Sequence, residues 1–204
     1  MKKSIILAIL IYFSNTNLFS QENYFKGYIV TYNLDTIYGK ITKNSDAEMH
    51  YQINFIDTLG NKSTLTTNSI ISYKIDKDFY YTKMYPDSYD YYYFFKLVID
   101  GKIKIYEYTS PPEDIMSGIL RTASFNSMSG TNFGPNFQNQ QKITFIEKDD
   151  LFKKVDGARF KGLMKKFVRD DQEIFAKVLD KTYEESELYI LVRKYNENYQ
   201  KRTN

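Results

Sequence analysis

The fold of this chain is decided by residues 27–41, which read Gly27-Tyr28-Ile29-Val30-Thr31-Tyr32-Asn33-Leu34-Asp35-Thr36-Ile37-Tyr38-Gly39-Lys40-Ile41. Two runs of β-branched and aromatic residues, each of strand length, flank the triplet Asn33-Leu34-Asp35. Such runs favour strands, and Asn and Asp favour tight turns because their side chains bond to the neighbouring backbone. The stretch therefore predicts a β-hairpin, the first hairpin of a larger sheet.

The residues before this hairpin have the pattern of a secretory signal peptide. Lys2 and Lys3 precede an apolar run, residues 5–13, of the length found in signal peptides. The run is too short to cross ~30 Å of hydrocarbon, which takes about 20 residues. We therefore expect residues 1–20 to be removed before Gln21. The mature protein would be exported to the periplasm, the outer envelope or the medium, without spanning a membrane.

Composition places the mature chain among ordinary single domains. Removal of 20 residues from 204 leaves 184, enough to bury a core without disulfides, and the sequence has no Cys. Two of the 28 basic residues lie in the leader, so 26 basic residues face 25 acidic ones in the mature chain. Such a near-neutral charge argues against nucleic acid as a partner.

Residues 21–110 form a region of predicted antiparallel strands. Further strands are expected at 51–55, 62–67, 70–75 and 79–85, with a polar loop at 43–49. The longest hairpin spans residues 91–108 and turns at Asp100-Gly101. A three-residue loop there would pair Leu97 with Ile103 and Phe95 with Ile105, so that apolar side chains share a face. We predict that register.

The remainder of the chain changes character twice. Residues 111–141 are rich in Asn, Ser, Gly and Gln, and they predict a mobile low-complexity loop. Residues 142–204 predict a final strand followed by helices. The helical apolar stripes consist of Phe160, Leu163, Met164 and Phe167, then Ile174, Phe175, Val178 and Leu179 after an Asp170 cap, then Leu188, Leu191, Val192 and Tyr195.

These observations predict an α+β fold. An N-terminal antiparallel sheet, a meander of sandwich-like or half-barrel-like shape, would be followed by a C-terminal cluster of about three short α-helices. Each helix has one apolar side, so the cluster must pack on itself or on the sheet. Residues 21–204 would then form one domain.

The opening of the mature chain also resembles a family of uncharacterised exported proteins of Gram-negative bacteria. The shared pattern is Gly27-Tyr28-Ile29-Val30, then Asp35-Thr36-Ile37 with Gly39 and Ile41, and a helical end near Tyr195-Asn196. The pattern usually has glycine before the Asp, where this chain has Leu34. The resemblance implies export and a sheet followed by helices. It implies no activity.

No motif in the chain specifies a reaction, a cofactor or a metal. His50 is the sole histidine, and it is expected at the surface because it lies in a polar segment without a nucleophile elbow. The absence of Cys excludes a thiol nucleophile and a Cys/His zinc cluster. Asp76, Asp78, Asp87 and Asp90 match no calcium loop and read as strand ends. No catalytic residue is therefore nominated.

The feature that points to a function is the aromatic density of residues 79–108. With the predicted register, Tyr92, Tyr106 and Tyr108 lie on the side opposite the core, where tyrosine could grip a sugar or a protein. The leading hypothesis is an exported, non-catalytic envelope protein that binds or supports an envelope protein or glycan. The alternative is a hydrolase that cuts envelope glycans with paired carboxylates, which the sequence does not locate.

Overall fold

A computed structural model describes residues 24–86, 91–110 and 141–203. The expected signal peptide at 1–20, the residues Asp87 and Asp90, and nearly all of the expected loop at 111–141 lie outside the described residues. The strands are β1 (Tyr24–Thr31), β2 (Thr36–Thr42), β3 (Gln52–Asp57), β4 (Lys62–Thr66), β5 (Ile70–Ile75), β6 (Asp78–Met84), β7 (Tyr92–Ile99), β8 (Lys104–Thr109), β9 (Lys142–Lys148) and β10 (Leu151–Lys154).

The helices follow the strands along the chain, with one exception. They are α1 (Asp46–Met49), α2 (Phe160–Phe167), α3 (Gln172–Leu179) and α4 (Leu188–Thr203), with 3-10 turns at Gly157–Arg159 and Glu185–Glu187. All ten strands form one antiparallel sheet in the order β10-β9-β8-β7-β6-β5-β1-β2-β3-β4. The predicted α+β class is confirmed, and so is the opening hairpin, in which Tyr28 pairs with Tyr38.

The sheet is rolled rather than flat. Strand β4 is an edge strand, and three other strands separate it from β5 in the sheet order. Yet only residues 67–69 connect β4 to β5 in the chain. Four Cα-to-Cα steps span at most about 14 Å, so the β4 edge must curl back toward β5. The Tyr32 hydroxyl, which donates to the Thr67 carbonyl at 2.5 Å, joins the first hairpin to this connection.

Two glycines allow the close approach of strands in this roll. Gly27 and Gly39 lie directly opposite each other on β1 and β2. A Cβ added at Gly27 would meet the Lys74 carbonyl oxygen at 2.1 Å, and one at Gly39 would meet the Ile56 carbonyl oxygen at 2.2 Å. Because only glycine fits where another backbone comes so close, the pair sets how tightly β5, β1, β2 and β3 pack.

Of the three buried apolar clusters in the described residues, two lie on the inner side of the sheet. The first fills the roll and contains Ile29, Ile41, Met49, Ile53, Phe55, Ile70, Tyr73, Ile75, Tyr80 and Phe94. The second joins the sheet to the helices and includes Ile99, Ile105, Ile146, Phe160, Met164, Phe167, Ile174, Val178, Leu188, Leu191, Val192 and Tyr195. The three predicted helical stripes therefore pack on the sheet, except that Leu179 is 40% exposed.

Three local predictions are wrong. The expected loop at 43–49 contains α1, because Ser45 and Glu48 form a capping box that satisfies backbone N–H groups at both positions. Residues 151–154 add an unpredicted strand, β10, paired with β9. The cap of α3 is Asp171, whose carboxylate accepts from the Ile174 N–H at 3.1 Å, and not Asp170.

The predicted register of the β7–β8 hairpin is also wrong. Leu97 pairs with Tyr106 and Ile99 with Ile105, with an irregularity between Leu97 and Ile99. The reason lies in helix α4, where the Asn196 side chain accepts from the Ile103 N–H at 2.9 Å and donates to the Ile103 carbonyl at 2.8 Å. Ile103 is thereby held by the helix instead of by β7, and the loop lengthens to residues 100–103.

Candidate functional site

The structure separates the three tyrosines that the sequence nominated for binding. Tyr106 and Tyr108 are 2% and 3% exposed, and they pack with Tyr93 and Phe95 in one aromatic cluster. The predicted face was wrong because the true register differs from the predicted one by an odd number of residues, which reverses the side of the sheet. Tyr92 is 47% exposed on the opposite side, where it pairs with Met84.

The hydroxyls of the buried tyrosines are already bonded within the protein. Tyr106 donates to Glu147 at 2.7 Å, and Lys83 forms an ion pair with the same carboxylate at 2.7 Å. The Tyr108 hydroxyl lies 2.6 Å from that of Tyr51. Burial raises the pKa of both Tyr106 and Tyr108, so both stay neutral. These groups stabilise the sheet and offer no free hydroxyl to a ligand.

His50 is buried, contrary to the expected surface position. It is 3% exposed and lies where β7 and β8 stop pairing. The His50 carbonyl accepts from the Phe94 N–H at 2.9 Å, and the His50 Nε2 accepts from the Thr109 N–H at 2.9 Å. Nδ1 contacts the Phe94 carbonyl, which requires a proton on Nδ1. His50 thus replaces ladder hydrogen bonds between two strands, which gives it a structural role.

An exposed aromatic and basic surface lies elsewhere on the sheet, on β1, β2 and β5. Tyr28 and Tyr38 are opposite neighbours, their rings meet edge to face at 5.6 Å between centroids, and Tyr38 is 65% exposed. Lys26, two residues before Tyr28 and on the same side of the sheet, pairs with Lys40. On the other flank of β1, Lys74 of β5 pairs with Tyr28. We call these five residues the tyrosine–lysine face.

The three lysines of this face lack ion-pair partners in the part of the chain that the structure describes. Among the described residues, no carboxylate forms an ion pair with Lys26, Lys40 or Lys74. Like charges directly opposite on a sheet are destabilising. The Nζ atom of Lys74 lies 4.7 Å from the ring centroid of Phe79, its neighbour on β6. The face therefore presents ring surfaces among lysines that have no ion pair with a described carboxylate, an arrangement suited to an anionic ligand that also has flat apolar surfaces.

Sequence reasoning missed this face although its signal was present. Once residues 27–41 are registered as a hairpin, alternation alone puts Tyr28, Tyr38, Lys26 and Lys40 on one side. The denser tyrosine run at 79–108 predicted a different surface. Lys74 could not be assigned, since β5 joins β1 only through the non-sequential strand order.

The carboxylates give the hydrolase alternative no support. A glycosidase needs one carboxyl group whose pKa is raised, so that it can act as general acid. Among the described residues, every carboxyl group with a clearly displaced pKa has its pKa lowered. Side-chain hydrogen bonds lower the pKa of Asp57, Glu173 and Asp180. At Asp170 burial acts to raise the pKa, but hydrogen bonds from Lys148 and Tyr195 and the charge of Lys148 together lower it.

Within the described ranges, no three His, Cys, Asp or Glu side chains are grouped so as to hold a metal ion. Asp78, one of the expected strand-end acids, forms an ion pair with Lys96 at 2.8 Å. Of the helices that the structure describes, none is both long and apolar enough to cross a membrane.

Comparison with known protein families, curated proteins and solved structures found no match to this chain.

Proposed function

We propose that this protein is an exported, non-catalytic module of the cell envelope that binds an acidic glycan through the tyrosine–lysine face. Export is supported by the signal-like residues 1–20. The observation that carries the binding proposal is the pairing of Lys26 with Lys40 beside Tyr28 and Tyr38, all on one open side of the sheet. Two facing lysines cost stability in the free protein, and an anionic ligand would remove that cost.

The chemistry of the face favours a glycan over a nucleic acid. Sugar rings have apolar faces that pack on tyrosine, and tyrosine hydroxyls bond to sugar hydroxyls. Carboxylate or phosphate groups on the glycan would lie near the lysines, as charge complementarity requires. The mature chain has nearly equal numbers of basic and acidic residues, so the attraction would be confined to this face.

The test is a sedimentation assay of the purified mature protein with isolated envelope fractions, namely peptidoglycan and lipopolysaccharide. The double variant Tyr28→Ala, Tyr38→Ala and the variant Lys26→Glu, Lys40→Glu should each lose binding. Tyr92→Ala is the matched control, because it removes an exposed tyrosine from the other side of the sheet. Retained binding by both double variants, with loss in Tyr92→Ala, would overturn the proposal in favour of the Tyr92 side.

A further inference from the structure

A groove runs between strand β10 and helix α2, at the far edge of the sheet from the tyrosine–lysine face. It consists of two neighbouring cavities, of about 780 and 650 Å³, which share Lys166 in their lining. Helix α2 buries Phe160, Met164 and Phe167 on one side. Its opposite, polar side therefore forms one wall of the groove, and β10 with the turn before it forms the other.

The groove is strongly basic although the whole chain is not. Seven cationic and three acidic residues line the two cavities. The acids are partly engaged, since Asp149 pairs with Lys102 at 2.5 Å and Asp156 caps the Ala158 N–H at 3.1 Å. Of the seven cations in the lining, Lys154, Lys165, Lys166 and Arg169 form no ion pair with any described residue.

No described strand pairs with the outer backbone edge of the strand wall of the groove. β10 is the last strand of the sheet. Lys148 pairs with Leu151, and the Val155 N–H donates to the Thr144 carbonyl at 2.9 Å, so the odd-numbered residues face β9. Alternation then directs the N–H and C=O groups of Phe152 and Lys154 away from the sheet. These groups could pair with an added strand.

We propose that this groove binds an extended acidic polypeptide segment, which pairs with the β10 edge and places carboxylates beside Lys154, Lys165 and Lys166. Lysines on a short edge strand oppose pairing with a neutral strand because their charges would lose water, whereas an acidic strand would neutralise those charges. The only aromatic residue in the lining is Phe167, which is 1% exposed. The groove therefore has no ring surface on which sugars or bases could stack, which favours a peptide. This proposal is independent of the glycan-binding function.

The test uses a fluorescein-labelled peptide of four Thr-Glu repeats, titrated with the full mature chain and followed by anisotropy. We expect saturable binding that weakens with salt, as charge attraction requires. The variant Lys154→Glu, Lys166→Glu should weaken it by about tenfold. Arg193→Glu and Lys201→Glu together make the matched control, because both residues are exposed on α4 and the net charge change is the same. Circular dichroism establishes that each variant is folded.

Two further probes separate strand pairing from simple attraction. The same peptide with every backbone nitrogen methylated keeps its charges but cannot donate to a strand, and it should lose binding. Equal binding of the methylated peptide would overturn strand addition. A sulfated oligosaccharide of equal charge is the second probe. If it binds more tightly than the acidic peptide, and the variant Lys154→Glu, Lys166→Glu loses that binding, the groove is assigned to a glycan and the peptide proposal is overturned. No binding of the acidic peptide at low salt would also refute the proposal.

Discussion

At the residue scale, Leu34 carries strain that the opening hairpin tolerates. Its φ is 67°, in the left-handed region. Its side chain is 75% exposed, so side-chain packing contributes little stability to offset the backbone strain. A non-glycine residue in that region costs about 1–2 kcal/mol. We expect Leu34→Gly to raise the free energy of unfolding by about 1 kcal/mol, as measured by urea denaturation.

The matched control is Leu59→Gly, at an exposed loop position without positive φ. There the added backbone freedom of glycine should lower stability slightly. If both substitutions change stability in the same direction, backbone strain at Leu34 is not the cause.

The paired glycines of β1 and β2 yield a second prediction at this scale. Gly39→Ala would put a methyl group 2.2 Å from the Ile56 carbonyl oxygen, and backbone cannot move aside as a flexible side chain can. We expect a loss of about 3 kcal/mol in urea denaturation. Gly162→Ala is the control, because nothing lies within 4 Å of the added Cβ and alanine favours the helix, so its stability should rise. A harmless Gly39→Ala would contradict the close approach.

At the scale of elements, Asn196 joins helix α4 to the β7–β8 loop. Its amide satisfies both backbone groups of Ile103, a residue that is fully buried. Asn196→Ala leaves a buried donor and a buried acceptor unpaired, at about 1–3 kcal/mol each. We expect the free energy of unfolding to fall by about 3 kcal/mol, and the Ile103 amide to exchange its hydrogen faster in mass-spectrometric or NMR measurements.

Asn198→Ala serves as the comparison, because Asn198 is a part-buried neighbour on α4 that donates to Asp171 at 3.0 Å. It should cost less, and it should leave exchange at Ile103 unchanged. Unaltered exchange at Ile103 in Asn196→Ala would show that the clamp does not hold the loop.

His50 makes the junction of α1 with β7 and β8 sensitive to acid. Burial lowers its pKa to about 4 from an ordinary value of 6.5. The unfolded chain therefore takes up the proton first, so the stabilisation is complete above pH 6.5 and is lost as the pH falls toward 4. The loss should total about 3 kcal/mol. Denaturation midpoints between pH 7 and pH 4.5 measure it.

The control is His50→Gln, which should be less stable at pH 7 but should change little from pH 7 to pH 5. The sequence has a single histidine, and no other side chain ordinarily titrates in that interval. A wild-type curve with no slope there would contradict the buried neutral imidazole.

At the scale of the whole molecule, local pattern predicted elements well and their arrangement poorly. The hairpin at 27–41 and the stripe of Leu188, Leu191, Val192 and Tyr195 were correct, because turn residues and helical spacing act within a few positions. The register of β7–β8 failed because Asn196 is 93 residues from Ile103 in the chain. Long-range partners of this kind have no local signature.

The candidate site shows the same division. The sequence indicated an aromatic binding surface on the sheet, yet two of the three tyrosines that it nominated, Tyr106 and Tyr108, are buried. Which tyrosines remain exposed depends on which strands the helices and the roll cover. The strand order, with β1 between β2 and β5, decides this, and it is a property of the complete sheet.

The imidazole that separates β7 from β8 has a consequence for how the chain is made. The Nε2 atom of His50 accepts its hydrogen bond from the N–H of Thr109, which follows His50 by 59 positions in the chain. A chain that emerges amino end first must hold this corner open to water until the later strands arrive. During that interval the ring has its ordinary basicity, so a mildly acidic compartment would charge it and delay closure. A mildly acidic compartment would therefore disfavour the assembly of this corner at a pH where the finished protein still keeps the ring neutral.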